Sequence, residues 1–199
     1  KDHTITYKEA NIAARKLADG LKKNGCKKND RIAIMAPNIP QYVISIQACF
    51  KLGAIMVPVN PYYTSSELDH ILNDSKTDTI IIMDRFADKV ISIMESGKTA
   101  IRNVIVIDSG YSKDLLSNNR CSNILDYEKV LQSEENIEQD IPVFSEDIAM
   151  LQYTGGTTGL PKGCMLSNLN LEAMAHMLFH WFSPPVSGSN FLSLCALPL

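Results

Sequence analysis

An α/β fold, with a mostly parallel sheet and flanking helices, is what this sequence predicts, and three observations predict it. Short apolar runs rich in Ile and Val alternate with longer segments whose apolar residues recur at helical spacing. The helical segments open on capping boxes or on proline, and several close on glycine. Strands that alternate with helices in this way imply parallel neighbours joined by right-handed crossovers. With 199 residues, 45% of them apolar, the chain can bury a sizeable core as one large domain or two small ones.

In chain order, Thr6-Tyr7-Lys8-Glu9 forms a capping box, and Ala10, Ala13, Ala14, Leu17 and Leu21 follow at helical spacing, with Gly25 placed to cap the far end. Residues 31–36 read as a short buried strand ended by Pro37. Pro40 suits the first turn of a helix over 41–52, which is apolar nearly all round, is therefore expected to be buried, and stops at Gly53. Residues 55–59 give a second strand. A second capping box, Thr64-Ser65-Ser66-Glu67, opens a helix carrying Leu68, Ile71 and Leu72, and residues 79–83 make the third strand. Phe86, Val90, Ile93 and Met94 mark another helix, and residues 104–107 a fourth strand.

From 109 to 140 the pattern weakens into Ser, Asn, Lys and Glu, an irregular surface connector with one short helix expected around 124–131. Its acidic residues, Glu134-Glu135 and those at 138–140, read as a solvated loop. Beyond 168, Leu171, Met174, Ala175, Leu178, Trp181 and Phe182 form an apolar helical stripe, with Met174 and Met177 expected as core filler. Ser183-Pro184-Pro185 ends that helix, and residues 191–197 read as a final strand. No internal repeat is evident.

A net charge of −3 gives no electrostatic reason to expect nucleic-acid binding. The five cysteines, Cys26, Cys49, Cys121, Cys164 and Cys195, never form a C-x-x-C pair; odd in number and mostly in apolar runs, they read as reduced core thiols of a cytoplasmic protein. Lys1-Asp2-His3-Thr4 is polar, with no signal-peptide core, and no apolar run approaches the length of a membrane span. The absence of an initiator Met and the abrupt close at Pro198-Leu199 give the expectation of a piece of a longer protein.

The stretch 148–168 is the one that carries chemistry. Apolar residues 148–151 lead through Gln152 and Tyr153 into Thr154-Gly155-Gly156-Thr157-Thr158-Gly159, made of Thr and Gly alone; Leu160-Pro161-Lys162 and a second apolar run, 164–166, follow. Glycines let backbone N–H groups close around an anion, Thr hydroxyls add donors, and Lys162 adds a positive charge, so the ligand this suits is a polyphosphate. A Walker loop would need Ser or Thr after the lysine, where Gly163 stands, and the Gly-x-Gly-x-x-Gly spacing of a dinucleotide site is absent. Pro161 and the apolar run beyond it predict strand, mobile loop, strand, and only then a helix from about Asn168.

Residues 153–163, Tyr-Thr-Gly-Gly-Thr-Thr-Gly-Leu-Pro-Lys-Gly, resemble the AMP-binding signature of adenylate-forming enzymes, the superfamily of acyl-CoA synthetases, luciferases and peptide-synthetase adenylation domains. Residues 29–38 and 51–61 are similar to earlier scaffold segments of acyl-CoA synthetases, and Ala196-Leu197-Pro198-Leu199 looks like the opening of the next motif. A common form of the signature has Ser where this chain has Gly155; the Gly variant resembles bacterial long-chain fatty acyl-CoA ligases.

The resemblance implies that 1–199 is one α/β segment of a larger adenylating domain, the N-terminal part of that fold. It implies an ATP-dependent acyl-CoA ligase, AMP-forming, acting on fatty acids. ATP, a carboxylic acid and CoA would be its substrates, Mg²⁺ its metal with ligands outside this segment, and the remainder of its own chain its partner; it allows a peripheral membrane association for access to fatty acids. The loop would hold ATP phosphates through backbone N–H groups of Gly155, Gly156 and Gly159, hydroxyls of Thr154, Thr157 and Thr158, and the charge of Lys162. The aromatic-Gly-x-Thr-Glu segment, the ribose-binding Asp motif and the C-terminal-domain lysine of the superfamily do not occur in these residues, so the segment alone is expected to be inactive and to bind ATP weakly. Two other readings stand beside this one: an aryl, short-chain or amino-acid adenylating enzyme, and a non-catalytic phosphate- or protein-binding module.

Other features have plainer readings. Gly97-Lys98-Thr99 looks like a Walker tail, but the upstream glycine it needs is Ser92, so a helix end is expected. His176 and His180 stand four apart on a helix, yet Met177 occupies the place of the Glu in HExxH and no third ligand is evident, so they are expected to be structural.

Overall fold

The computed structural model describes residues 4–97, 99–111, 123–132, 141–154 and 160–181. Its centre is a seven-stranded sheet. From one edge to the other run β5 (Ile124–Asp126), β4 (Asn103–Ile107), β3 (Thr79–Met83), β1 (Arg31–Met35), β2 (Ile55–Pro58), β6 (Ile148–Thr154) and β7 (Lys162–Ser167). All neighbours pair in parallel except β7, which runs antiparallel to β6. The α/β architecture with a mostly parallel sheet is thus as the sequence predicts.

Past their first residues, Arg31, Thr79 and Asn103, β1, β3 and β4 are wholly apolar because both faces are covered. Ile32 and Ile34 of β1, Ile81 of β3 and Ile105 and Ile107 of β4 join one core, with residues of α1 (Tyr7–Lys23), α2 (Pro40–Leu52) and α5 (Tyr127–Leu131). Ala33 and Met35, Ile80 and Ile82, and Val104 and Val106 join the other, with α3 (Ser65–Asp74) and α4 (Asp84–Glu95). The period-two alternation of side chains is what divides one strand between two cores.

The expected caps are present. Thr6 and Thr64 each accept from the backbone N–H of the glutamate three residues on, and Glu9 and Glu67 each reach back to the threonine N–H. Pro40 opens α2, and Gly53 closes it in the left-handed region at φ 64°. The Walker-like tail follows the end of α4, where Gly97 N–H donates to the Met94 carbonyl; Lys98 lies outside the described residues.

Three expectations are corrected. Residues 124–131 are not one helix. Ile124 to Asp126 extend the sheet beside β4, because edge pairing with Val104 to Val106 takes up their backbone groups, and the Asp126 carboxylate then caps α5 through the Glu128 N–H. The stripe on α6 (Asn168–Trp181) is not buried: Met174, Leu178 and Trp181 are exposed, as are the expected core fillers Met174 and Met177, the latter at 65%. A helix buries its stripe only against a second apolar surface, and the described partners of α6 are β7 and the turn before β6. Finally, Cys164 is exposed on β7, whereas Cys26 and Cys49 are buried free thiols that burial pushes above the usual thiol range, so they stay protonated and unreactive. Cys121, Cys195, Phe182, the proline turn after it, the strand expected at 191–197 and the acidic residues of 134–140 lie outside the described residues.

The segment that leads into β6 is fastened to the turn between α1 and β1, beside Gly53 at the end of α2. Lys28 forms an ion pair with Asp147 at 2.7 Å, donates to the Pro142 carbonyl at 2.9 Å and lies over the Phe144 ring. The ammonium holds the Asp147 carboxyl below the usual carboxylate range. Gly53 makes the close approach possible, since a Cβ there would stand 3.1 Å from Val143 Cγ1 and 3.2 Å from Lys28 Cγ. Gly53→Ala combines that crowding with a left-handed φ, and is expected to cost about 1–2 kcal/mol in urea denaturation of the full-length protein. A cost below about 0.5 kcal/mol, the range of ordinary surface substitutions, would show that Lys28 and Val143 yield freely.

Candidate functional site

β6 enters the sheet beside β2, with Met56 opposite Met150, and leaves at the carboxyl edge, where open α/β sheets bind ligands. It then returns as β7, in a register that sets Thr154 opposite Lys162, Tyr153 opposite Gly163 and Gln152 opposite Cys164. The two expected strands are therefore observed, the loop between them lies outside the described residues, and α6 begins at Asn168 as the sequence implies. The returning strand starts at Lys162, two residues before the apolar run at 164–166.

Of the candidate phosphate-binding residues, the structure places two. Thr154 and Lys162 face each other as the last pair of the β6–β7 ladder, both exposed. Among the described residues Lys162 forms no ion pair. Its charge is presented toward solvent beside a threonine, a donor set that suits an anion. Gly155, Gly156, Thr157, Thr158 and Gly159 lie outside the described residues.

Below that pair the stems are held with more structure than the sequence discloses. Tyr153 is buried, at 4% exposure, and its hydroxyl donates to Asp74 Oδ2 at 2.6 Å. Burial first, and the carboxylate beside it second, push the phenol above its ordinary pKa, so it remains a donor. The ring crosses Gly163 on the way: a Cβ at that position would lie 3.0 Å from Cζ and 3.2 Å from Cε2 of Tyr153. Glycine is needed here because an aromatic ring occupies the space a side chain would take. On the other stem His70 Nε2 lies 2.9 Å from the Pro161 carbonyl; a carbonyl can only accept, so Nε2 carries the hydrogen. Both partners belong to α3, four residues apart.

Sequence reasoning missed His70, Asp74 and the roles of Tyr153 and Gly163. The only signals were a polar pair at i,i+4 on a helix whose Leu68, Ile71 and Leu72 face the core, and a glycine one residue inside a strand. The histidines of α6 meet no metal-like set. His180 Nδ1 donates to the His176 carbonyl at 2.8 Å, His176 lies 3.8 Å from Glu172, and no group of three His, Cys, Asp or Glu able to hold a metal occurs among the described residues.

Comparison with known proteins agrees with this fold. The family model described as AMP-binding enzyme matches residues 1–199. A long-chain-fatty-acid–CoA ligase of Salmonella typhimurium is 34% identical over 213 residues, covering 98% of this chain and 38% of that enzyme. A 4-coumarate–CoA ligase of Humulus lupulus is 31% identical over 98% of this chain and 34% of its own length. Among solved structures, a long-chain-fatty-acid–CoA ligase from Archaeoglobus fulgidus matches 90% of this chain and 33% of its own with a TM-score of 0.75 at 30% identity. The chain thus spans little more than a third of the relatives it matches.

Gly163→Ala is expected to drive the Tyr153 ring off its track and to cost about 1–3 kcal/mol in chemical denaturation of the full-length protein. In a Tyr153→Ala background the same substitution is expected to cost less than about 0.5 kcal/mol, the mark of a direct contact in a double-mutant cycle. Equal costs in both backgrounds would remove the ring as the reason for glycine.

Proposed function

This chain belongs to the family of AMP-binding enzymes, and from that premise we propose that the complete protein activates a carboxylic acid with ATP and passes the acyl group to CoA, with fatty acids as the substrate class. The observation that carries the proposal is the placement of Lys162 and Thr154 as facing residues at the carboxyl edge of the sheet, at the two ends of a segment of Thr and Gly.

In the first half-reaction a carboxylate oxygen attacks the α-phosphorus of ATP, the bond to pyrophosphate breaks, and acyl-AMP forms. In the second, the CoA thiolate attacks the acyl carbon and AMP leaves. The reacting groups need little covalent help from the protein. What they need is a fixed triphosphate and compensation of the negative charge that gathers on departing pyrophosphate. Lys162 supplies a full positive charge for the β- and γ-phosphates, Thr154, Thr157 and Thr158 supply hydroxyl donors, and Gly155, Gly156 and Gly159 supply backbone N–H groups. Mg²⁺ would neutralise the same oxygens; no described group of acidic or histidine side chains fits it, and its ligands are assigned to the rest of the protein.

Fatty acids are favoured over other acids by Gly155 and by the relatives named as long-chain-fatty-acid–CoA ligases. The 4-coumarate–CoA ligase keeps an aryl acid as the second reading. The 199-residue segment alone is proposed to be inactive. A cytoplasmic location, with peripheral membrane contact for access to fatty acids, belongs to the same proposal. The free thiols of Cys26, Cys49 and Cys164 support a reducing compartment. No helix among the described residues is long and apolar enough to cross a membrane.

Lys162→Ala in the full-length protein is expected to slow ATP–pyrophosphate exchange by about a hundredfold; unchanged exchange would refute the phosphate assignment. For the substrate class, kcat/KM for a long-chain fatty acid is expected to exceed that for 4-coumarate by roughly tenfold or more, and the reverse order would move the assignment to aryl acids.

A further inference from the structure

We propose that α3 is the positioning element of this site, with His70 and Asp74 fixing the two chain segments that deliver Lys162 and Thr154 to the phosphates. The inference rests on the phosphate role of those two residues. His70 holds the carbonyl of Pro161, the residue just before Lys162, at 2.9 Å, and Asp74 holds the hydroxyl of Tyr153, the residue just before Thr154, at 2.6 Å. Each contact therefore lies one residue from a phosphate-binding position, and both come from one turn of one helix.

The two stems need such holding for different reasons. Pro161 has no N–H and precedes the first ladder pair, so its buried carbonyl needs a partner from outside the hairpin, and His70 provides one. Tyr153 closes the core beneath Thr154, and a charge-assisted O–H···O⁻ contact gives its ring one orientation over Gly163. α3 is a firm base for both. A capping box fixes its N-terminus, and Leu68, Ile71 and Leu72 are fully buried against the sheet.

His70 and Asp74 themselves are half-buried and exposed respectively. α3 is held by its apolar residues, which leaves these two side chains free to act on the placement of the stems. A shift of about 1 Å at a charge that meets the transition state is enough to cost a hundredfold in rate, and these are the contacts that set where Lys162 stands relative to Thr154.

The test uses the full-length protein with His70→Leu, Asp74→Ala and Tyr153→Phe. Each is expected to lower kcat/KM for ATP in pyrophosphate exchange by about tenfold or more, with KM for the acid and the thermal midpoint unchanged. Tyr153→Phe added to Asp74→Ala is expected to lower it no further. His70→Gln, which keeps an N–H donor near the Nε2 position, is expected to restore most of the loss. A second readout needs no turnover: without ATP, amide exchange in peptides covering 160–166 is expected to quicken in His70→Leu and to return to the unmutated rate in His70→Gln.

Unaltered ATP kinetics in His70→Leu and Asp74→Ala, or unaltered amide exchange in His70→Leu, would overturn the proposal. So would equal losses toward ATP and acid accompanied by a fall in thermal midpoint, which is the signature of a general structural role. Lys162→Ala separates the two levels. If it is silent, the phosphate role and the positioning role fall together; if it is crippling while the α3 variants are silent, only the positioning role falls.

Discussion

A tyrosine ring laid across a glycine is the constraint on which the rest of the site depends. Tyr153 belongs to the buried core shared with α3 and α4, yet its neighbour Thr154 is exposed at the end of the ladder. The ring ties a solid interior to the exposed end of the ladder at Thr154. It can do so only because Gly163 yields its side-chain volume and Asp74 fixes the phenol. A larger residue at 163, or an apolar one at 74, would leave the strands paired but their mutual tilt undefined. The hairpin is an edge structure, with β7 unpartnered on its outer side among the described residues, so its placement rests on its ladder to β6 and on side-chain contacts.

The approach to β6 has its own fastening, at the opposite end of the strand. Lys28 gathers the Asp147 carboxylate, the Pro142 carbonyl and the Phe144 ring, while Gly53 lets Val143 come close. A strand held at both ends has little freedom to slide. The register that sets Thr154 against Lys162 is thus fixed twice over, by the latch before β6 and by the ring beneath its end. A one-residue slip would turn Tyr153 out of the core and Thr154 into it, a change the burial of Tyr153 forbids.

The fold was legible in the sequence where local chemistry and tertiary demand agree. Thr6 and Thr64 cap their helices because hydroxyl and glutamate stand three apart, and β1, β3 and β4 are apolar past their first residues because helices cover both their faces. The sequence failed where a distant partner decides. Ile124 to Asp126 carry too little pattern to announce a strand, and β4 recruits them by backbone pairing, with Ile124 and Leu125 packing on opposite cores. Met174 and Leu178 have helical spacing without a surface to meet among the described residues. The site divides the same way. Thr154 and Lys162 could be put forward because hydroxyl and charge stand beside glycines in a stretch that resembles a known signature. His70 and Asp74 could not, because a polar pair on a helix looks like any solvated face until another strand arrives against it.

Gly155 makes the accuracy of the stems weigh more heavily. Where the related signature has serine, this chain has no hydroxyl, so one potential phosphate donor is replaced by a backbone group. Under the proposed phosphate role, fewer side-chain donors leave more of the grip to main-chain N–H groups, whose direction is set by the course of the chain and not by a rotamer. The holding of the two ends at 154 and 162 then matters more. The Pro161 carbonyl and the Tyr153 hydroxyl are the nearest held atoms on either side, and both are held by the same turn of α3. Under the proposed phosphate role, both ends of the segment that would carry it therefore take their placement from α3.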